Sequence, residues 1–133
     1  MDIKLIQFQS HGDERGSLVS LEQNKNVPFD IKRVYYLFNT EDKVRRGFHA
    51  HKKLKQLAVV LKGSCRFLLD DGTEKIELFL ENPAQGLLIE SFVWREMFDF
   101  SEDCVLMVLA DSEYDEDDYI RDYDIFKASI DEK

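Results

Sequence analysis

The chain has 133 residues, is 44% hydrophobic and 12% aromatic, and carries a formal net charge of −9. That length supports one folded domain with a real core, and no apolar run is long enough to cross a bilayer as a helix. The acidity argues against a nucleic-acid surface, and with no basic-plus-apolar leader the expected location is the cytoplasm.

Short apolar runs separated by turn residues predict an all-β sandwich or barrel. Strands are expected over residues 3–8 and 16–22, with Gly12-Asp13-Glu14-Arg15-Gly16 as a tight loop between them. In the next strand, 31–39, Arg33, Tyr35 and Leu37 share one face and Val34, Tyr36 and Phe38 the other. The second face is the expected core, which leaves Arg33 and Tyr35 for a pocket. In strand 48–51 the residues Gly47, His49 and His51 align. Simple alternation then puts Arg45 rather than Arg46 inside, unless Gly47 marks a bulge. Further strands are expected at 56–62, 64–70, 74–80, 86–89, 93–98 and 105–110. Asp70-Asp71-Gly72 is a hairpin signal, and Asn82-Pro83 opens another turn. Cys65 and Cys104 lie in apolar strand-like stretches and read as reduced core residues. Residues 111–124 hold eight acids and one arginine. They lack the glycine and terminal glutamate of a calcium loop, so a solvated loop is expected, leading into a short closing element at about 119–128. Arg121, alone among those acids, is a candidate to point inward.

The chemistry concentrates around His49-Ala50-His51, followed after four residues by Gln56 and after six more by Gly63. Histidines at i and i+2 of a strand enter the same cavity. A divalent site would add a carboxylate and a third histidine. Position 56 is a neutral glutamine, and Arg95 follows Trp94 where the third ligand would stand. A guanidinium cannot ligate and repels a cation, so no metal or other cofactor is expected. His11 lies far upstream beside a turn. Residues 43–55 carry six cations and no acid, which suits either a lysine-protected edge strand or a pocket for an anionic substrate.

His49 to Gly63 has the spacing of the first motif of the cupin barrels, with glutamine at the acidic position. Asp13-Glu14-Arg15-Gly16 and Arg46-Gly47-Phe48-His49 also resemble elements of dTDP-4-keto-6-deoxyhexose 3,5-epimerases. The second histidine, the run Val93-Trp94-Arg95-Glu96-Met97 and the tail Ser112 to Tyr123 are more specific. Together they resemble the dTDP-4-keto-6-deoxyglucose 3,4-ketoisomerases, the WxcM-like or FdtA/QdtA family, over nearly the whole chain. The resemblance implies an RmlC-like jelly-roll cupin, homodimeric and metal-free, that moves a carbonyl from C4 to C3 of a dTDP-linked hexose. The product would serve biosynthesis of acetamido-dideoxyhexoses for surface glycans. Arg15-Gly16 resembles the form that gives the galacto product.

Under that resemblance His49 and His51 carry the proton transfers. Histidine suits the task, with an ordinary pKa near ~6.5. His51, deeper along the strand from Gly47, is the expected C–H base, and His49 the group that handles the oxygen protons or reprotonates C4. Arg15 and Arg46 match positions that hold the diphosphate in the related epimerases. Gly16, Arg33, Tyr35, Arg95 and Arg121 are further candidates for substrate contacts. Three alternatives stay open: a 3,5-epimerase, a metal-dependent cupin and a non-catalytic sugar-nucleotide sensor.

Overall fold

The computed structural model describes residues 1–41 and 43–132. Among these residues twelve strands and one α-helix follow in chain order, with a 3₁₀ turn at Glu116–Asp118 before the last strand: β1 Lys4–Gln7, β2 His11–Asp13, β3 Gly16–Leu18, β4 Arg33–Leu37, β5 Arg46–His51 and β6 Gln56–Lys62. Then come β7 Cys65–Asp70, β8 Lys75–Leu80, β9 Gln85–Ile89, β10 Trp94–Phe98, β11 Val105–Ala110, β12 Tyr119–Ile120 and α1 Tyr123–Asp131. Ten strands form two five-stranded antiparallel sheets, in the orders β1-β9-β6-β11-β4 and β12-β5-β10-β7-β8. The hairpin β2–β3 pairs only with itself.

The core follows from which faces are covered. Ala58, Val60, Leu106 and Val108 of the first sheet meet Cys65, Phe67, Leu69 and Met97 of the second, all buried in one cluster. This is the interior of a cupin jelly roll. The outer face of the first sheet is covered as well: Leu57, Val59 and Leu109 pack against Phe8, Val27 and Phe29. Covering both faces explains why residues 56–60 of β6 are buried without alternation. On the outside of the second sheet, Ala50, Trp94 and Ile120 pack against Phe126 of α1.

Several sequence expectations change. The face of Val34, Tyr36 and Phe38 is not core; these side chains are 51%, 62% and 59% exposed. β4 is the edge of its sheet, and the covering cluster buries β6 and β11 without any residue of 34–38. The opposite face, with Tyr35 and Leu37, packs on the interior. The loop at 12–16 is the turn of a hairpin whose first arm, β2, was not anticipated. The closing element at 119–128 divides into β12, which pairs with β5, and a nine-residue helix. Asp122 caps that helix, its carboxylate accepting from the Ile125 amide at 3.0 Å.

Phe126 is the buried anchor of α1, at 5.8 Å from both the Trp94 and Tyr123 rings. Phe126→Ala should cost about 3–5 kcal/mol of stability, as buried aromatic truncations do. A denaturation midpoint that fails to move would show that the helix adds little to the fold.

Candidate active site

The site lies along the seam where β4, the edge of one sheet, faces β5 and β12 of the other. A cavity of about 320 Å³ opens there, lined by Arg33, Tyr35, Leu37, Arg46, Gly47, His49, Met97, Tyr119 and Arg121. A larger one, about 450 Å³, lies between residues 1–4 and 88–93 and has no histidine in its wall. Chemistry, not size, selects the first.

A bulge decides which arginine enters. Gly47 has φ +94° and Phe48 φ +58°, and the pairing of β5 with β10 shifts register between Arg95 and Glu96. A Cβ on Gly47 would sit 2.8 Å from the Arg95 carbonyl oxygen, so only glycine fits. The extra residue turns Arg46 to the cavity. Arg45 turns away, pairing with Glu96 Oε1 at 2.7 Å and lying over the Phe98 ring at 3.8 Å. The sequence leaves Arg45 and Arg46 open on the condition of a bulge at Gly47, and the bulge is present.

The two imidazoles stand edge to face with ring centroids 5.0 Å apart. His49 Nδ1 lies 3.1 Å from the Gly47 carbonyl oxygen, and His51 Nδ1 lies 3.1 Å from Asp118 Oδ2. Both partners accept, so each ring carries its proton on Nδ1 and leaves Nε2 bare. The Nε2 of His51 is buried and has no hydrogen-bond partner among the described residues. Asp118 is itself held by the backbone amides of Lys53 at 2.9 Å and Leu54 at 3.3 Å. Burial, aided by the positive charge of Arg95, pushes the His49 pKa down to about 4 and that of His51 to about 2. Both rings are therefore neutral at pH 7. They differ in access: His49 lines the cavity, whereas His51 is fully buried.

Arg95 is 2% exposed and lies behind the cavity wall rather than in it. Burial lowers its pKa to about 10, so it stays charged. It donates to the Val93 carbonyl at 2.9 Å and to Gln56 Oε1 at 2.5 Å. Gln56 in turn donates from Nε2 to the Tyr35 hydroxyl at 3.1 Å. A divalent cation does not fit these side chains, because a guanidinium fills the third ligand's place and Gln56 brings no charge.

The remaining arginines are disposed for an anion. Arg33 lies over the rings of Tyr35 and Tyr114, at 5.3 and 5.7 Å, and its buried Nε and Nη2 have no partner among the described residues. Such orphaned donors in a cavity wall suit a phosphate. Arg121 forks onto Glu116, at 2.8 and 2.9 Å, and stacks on Tyr119 at 4.1 Å. Arg15 and Gly16 are elsewhere, at the tip of the β2–β3 hairpin. The Arg15 side chain is 85% exposed and paired with Asp13 at 2.6 Å. Two site residues escaped the sequence reading. Tyr119 packs on both imidazoles, with centroids 5.0 and 4.4 Å away, and Asp118 orients His51. Both arrive through the pairing of β12 with β5, which an acidic run read as solvated loop does not announce.

Comparison with known proteins agrees with this geometry. The chain is 58% identical over 130 residues to TDP-4-oxo-6-deoxy-alpha-D-glucose-3,4-oxoisomerase of Aneurinibacillus thermoaerophilus, covering 98% of this chain and 94% of that protein. It superposes with a TM-score of 0.96 on a mutant of the 3,4-ketoisomerase QdtA from Thermoanaerobacterium thermosaccharolyticum, crystallised in complex with TDP-4-keto-6-deoxyglucose. That pair is 44% identical, over 98% of this chain and 95% of the other. The dTDP-4-dehydrorhamnose 3,5-epimerase of Bacillus anthracis shares the fold alone, at 18% identity and a TM-score of 0.77 over 89% of this chain and 77% of that one. The profile of the FdtA family, described as WxcM-like, C-terminal, matches residues 1–131, and the chain belongs to that family.

Proposed function

We propose that this chain is a sugar-nucleotide 3,4-ketoisomerase, converting dTDP-4-keto-6-deoxyglucose to its 3-keto isomer without a cofactor. The observation that carries the reading is the pair of neutral imidazoles with bare Nε2 atoms beside a cavity walled by arginine. The diphosphate is held by Arg33 and Arg46, with Arg121 at the rim, which lays the hexose along His49, Tyr35 and Tyr119. His49 is the better placed C3–H base, because it meets the cavity and His51 does not; this revises the order expected from strand depth. Loss of the C3 proton to His49 leaves an enediolate, O4 takes the proton that the C3 hydroxyl gives up, and C4 receives the proton held on His49. C3 is oxidised and C4 reduced within one molecule. His51, fixed by Asp118, stands behind His49 and packs edge to face with it. Proton NMR of the substrate in D₂O with EDTA-treated protein tests the reading. Migration of the ketone to C3 supports it, and deuterium at C3 and C5 with the ketone still at C4 would instead indicate an epimerase.

A second copy completes the site in this reading. The arm β2–β3 leaves the body with every residue exposed, and an isolated two-stranded hairpin is marginal in water. β4 meanwhile offers an apolar edge through Val34, Tyr36 and Phe38. A homodimer in which each arm packs on its partner would bring Arg15 to the other cavity, where it would bear on the galacto configuration of the product. The two unpaired cysteines, Cys65 and Cys104, fit a cytoplasmic location, where the product would enter surface-glycan biosynthesis.

His49→Asn should lower kcat by ~10²–10⁴-fold, the usual worth of a positioned proton-transfer group, with dTDP affinity retained in a calorimetric titration. Since the base acts as neutral imidazole with a pKa near 4, kcat/KM should hold from pH 7 down to pH 5 and fall only below it. An acid limb centred near ~6.5, the ordinary histidine value, would contradict the environment described. Mixing inactive Arg15→Ala and His49→Asn chains should restore roughly a quarter of wild-type turnover if arms are exchanged, since half the dimers then hold one intact site. No recovery would place Arg15 outside the partner's site.

A further inference from the structure

Arg95, Gln56 and Tyr35 form a line behind the histidines, and their chemistry fixes the direction of each hydrogen bond. A guanidinium only donates, so the Gln56 oxygen must face Arg95, at 2.5 Å. The amide nitrogen then faces Tyr35, at 3.1 Å, and the phenol oxygen must accept. A phenol has a single proton, and here it is not spent on Gln56. Tyr35 donates to no other group among the described residues. Its side chain lines the same cavity as His49.

We propose that Gln56 sets the polarity of this relay, so that Tyr35 presents its O–H to the sugar oxygen on which negative charge develops. The inference rests on the ketoisomerase reading above. As His49 removes the C3 proton, the C3–H electron pair becomes the C3–C4 double bond and the carbonyl pair moves onto O4. Tyr35 stabilises O4 there by donating its hydrogen bond. The C3 hydroxyl then gives its proton to O4, the carbonyl forms at C3, and the C3–C4 pair takes at C4 the proton held on His49. Burial raises the Tyr35 pKa above its ordinary value, which keeps the phenol neutral and a donor. Arg95 and Gln56 are positioning residues that act through Tyr35.

This gives a physical reason for glutamine at the position where a metal-binding cupin keeps an acid. A glutamate of nearly the same shape would accept from Arg95 with one oxygen and from Tyr35 with the other. The phenol proton would turn from the cavity toward position 56. Shape is kept and polarity reversed.

The test uses the full-length protein carrying Gln56→Glu, Tyr35→Phe or both, with dTDP-4-keto-6-deoxyglucose followed by NMR and dTDP binding by calorimetry. Each single change should lower kcat by ~10²–10³-fold, the usual effect of losing an oxyanion donor, with the Kd for dTDP moved by less than about twofold. Exchange of the C3 proton into D₂O should slow in parallel, because the oxyanion forms in that step. The double variant should be no slower than Tyr35→Phe alone, since both changes remove one interaction. Wild-type turnover by Gln56→Glu would overturn the inference. Losses that multiply in the double variant would too, as would a Gln56→Glu chain that loses dTDP binding along with turnover. A wild-type protein that leaves the ketone at C4 would defeat the ketoisomerase reading itself, and the relay with it.

Discussion

A guanidinium buried with no hydrogen-bonded carboxylate among the described residues organises this cavity. Taking a charge out of water costs several kcal/mol after relaxation, and Arg95 offsets part of that by donating to the Val93 carbonyl and the Gln56 amide oxygen, with the charge of Asp118 also favouring it. Its field therefore remains in force. It helps hold both imidazoles neutral, opposes any metal ion, and adds its positive charge to that of Arg33 and Arg46 at the seam.

The seam itself is a product of topology. A jelly roll packs two sheets face to face, and where their edges meet, β4 opposite β5 and β12, side chains from three distant stretches converge. Polar residues at inward positions of these strands (Arg33, Tyr35, His49) would be costly in a closed core and are tolerated because the edge is open, whereas the buried His51 is held by Asp118. The bulge at Gly47 is the local departure from regular pairing. It moves Arg46 inward without disturbing the alternation of His49 and His51 beyond it.

Much of this was legible in the residues. Turn punctuation and strand-length apolar runs delivered most of the strands and the hairpin of β7 with β8, because hydrophobic alternation and glycine or proline turns are local signals. The His49–His51 pair was legible because a period of two admits no other outcome on a strand. What failed was non-local. The Val34-Tyr36-Phe38 face looked like core because its composition is apolar, yet what lies above a strand is set by chain far away. Asp118 and Tyr119 were hidden in an acidic run whose partner strand lies some sixty-odd positions upstream, Tyr119 pairing with His51. Arg15 lies at the tip of an exposed hairpin, away from the cavity.

Asp118 also ties the site to the order of synthesis. Its carboxylate holds the His51 ring and the amides of Lys53 and Leu54 at once, and β12 and α1 secure it from the other side. A nascent chain emerging from the ribosome displays both histidines long before residue 118 has appeared. Until then His51 has no carboxylate to orient it, and the wall formed by Tyr119 is missing. The growing polypeptide therefore carries its imidazoles unaligned until residues 118–120 have been made.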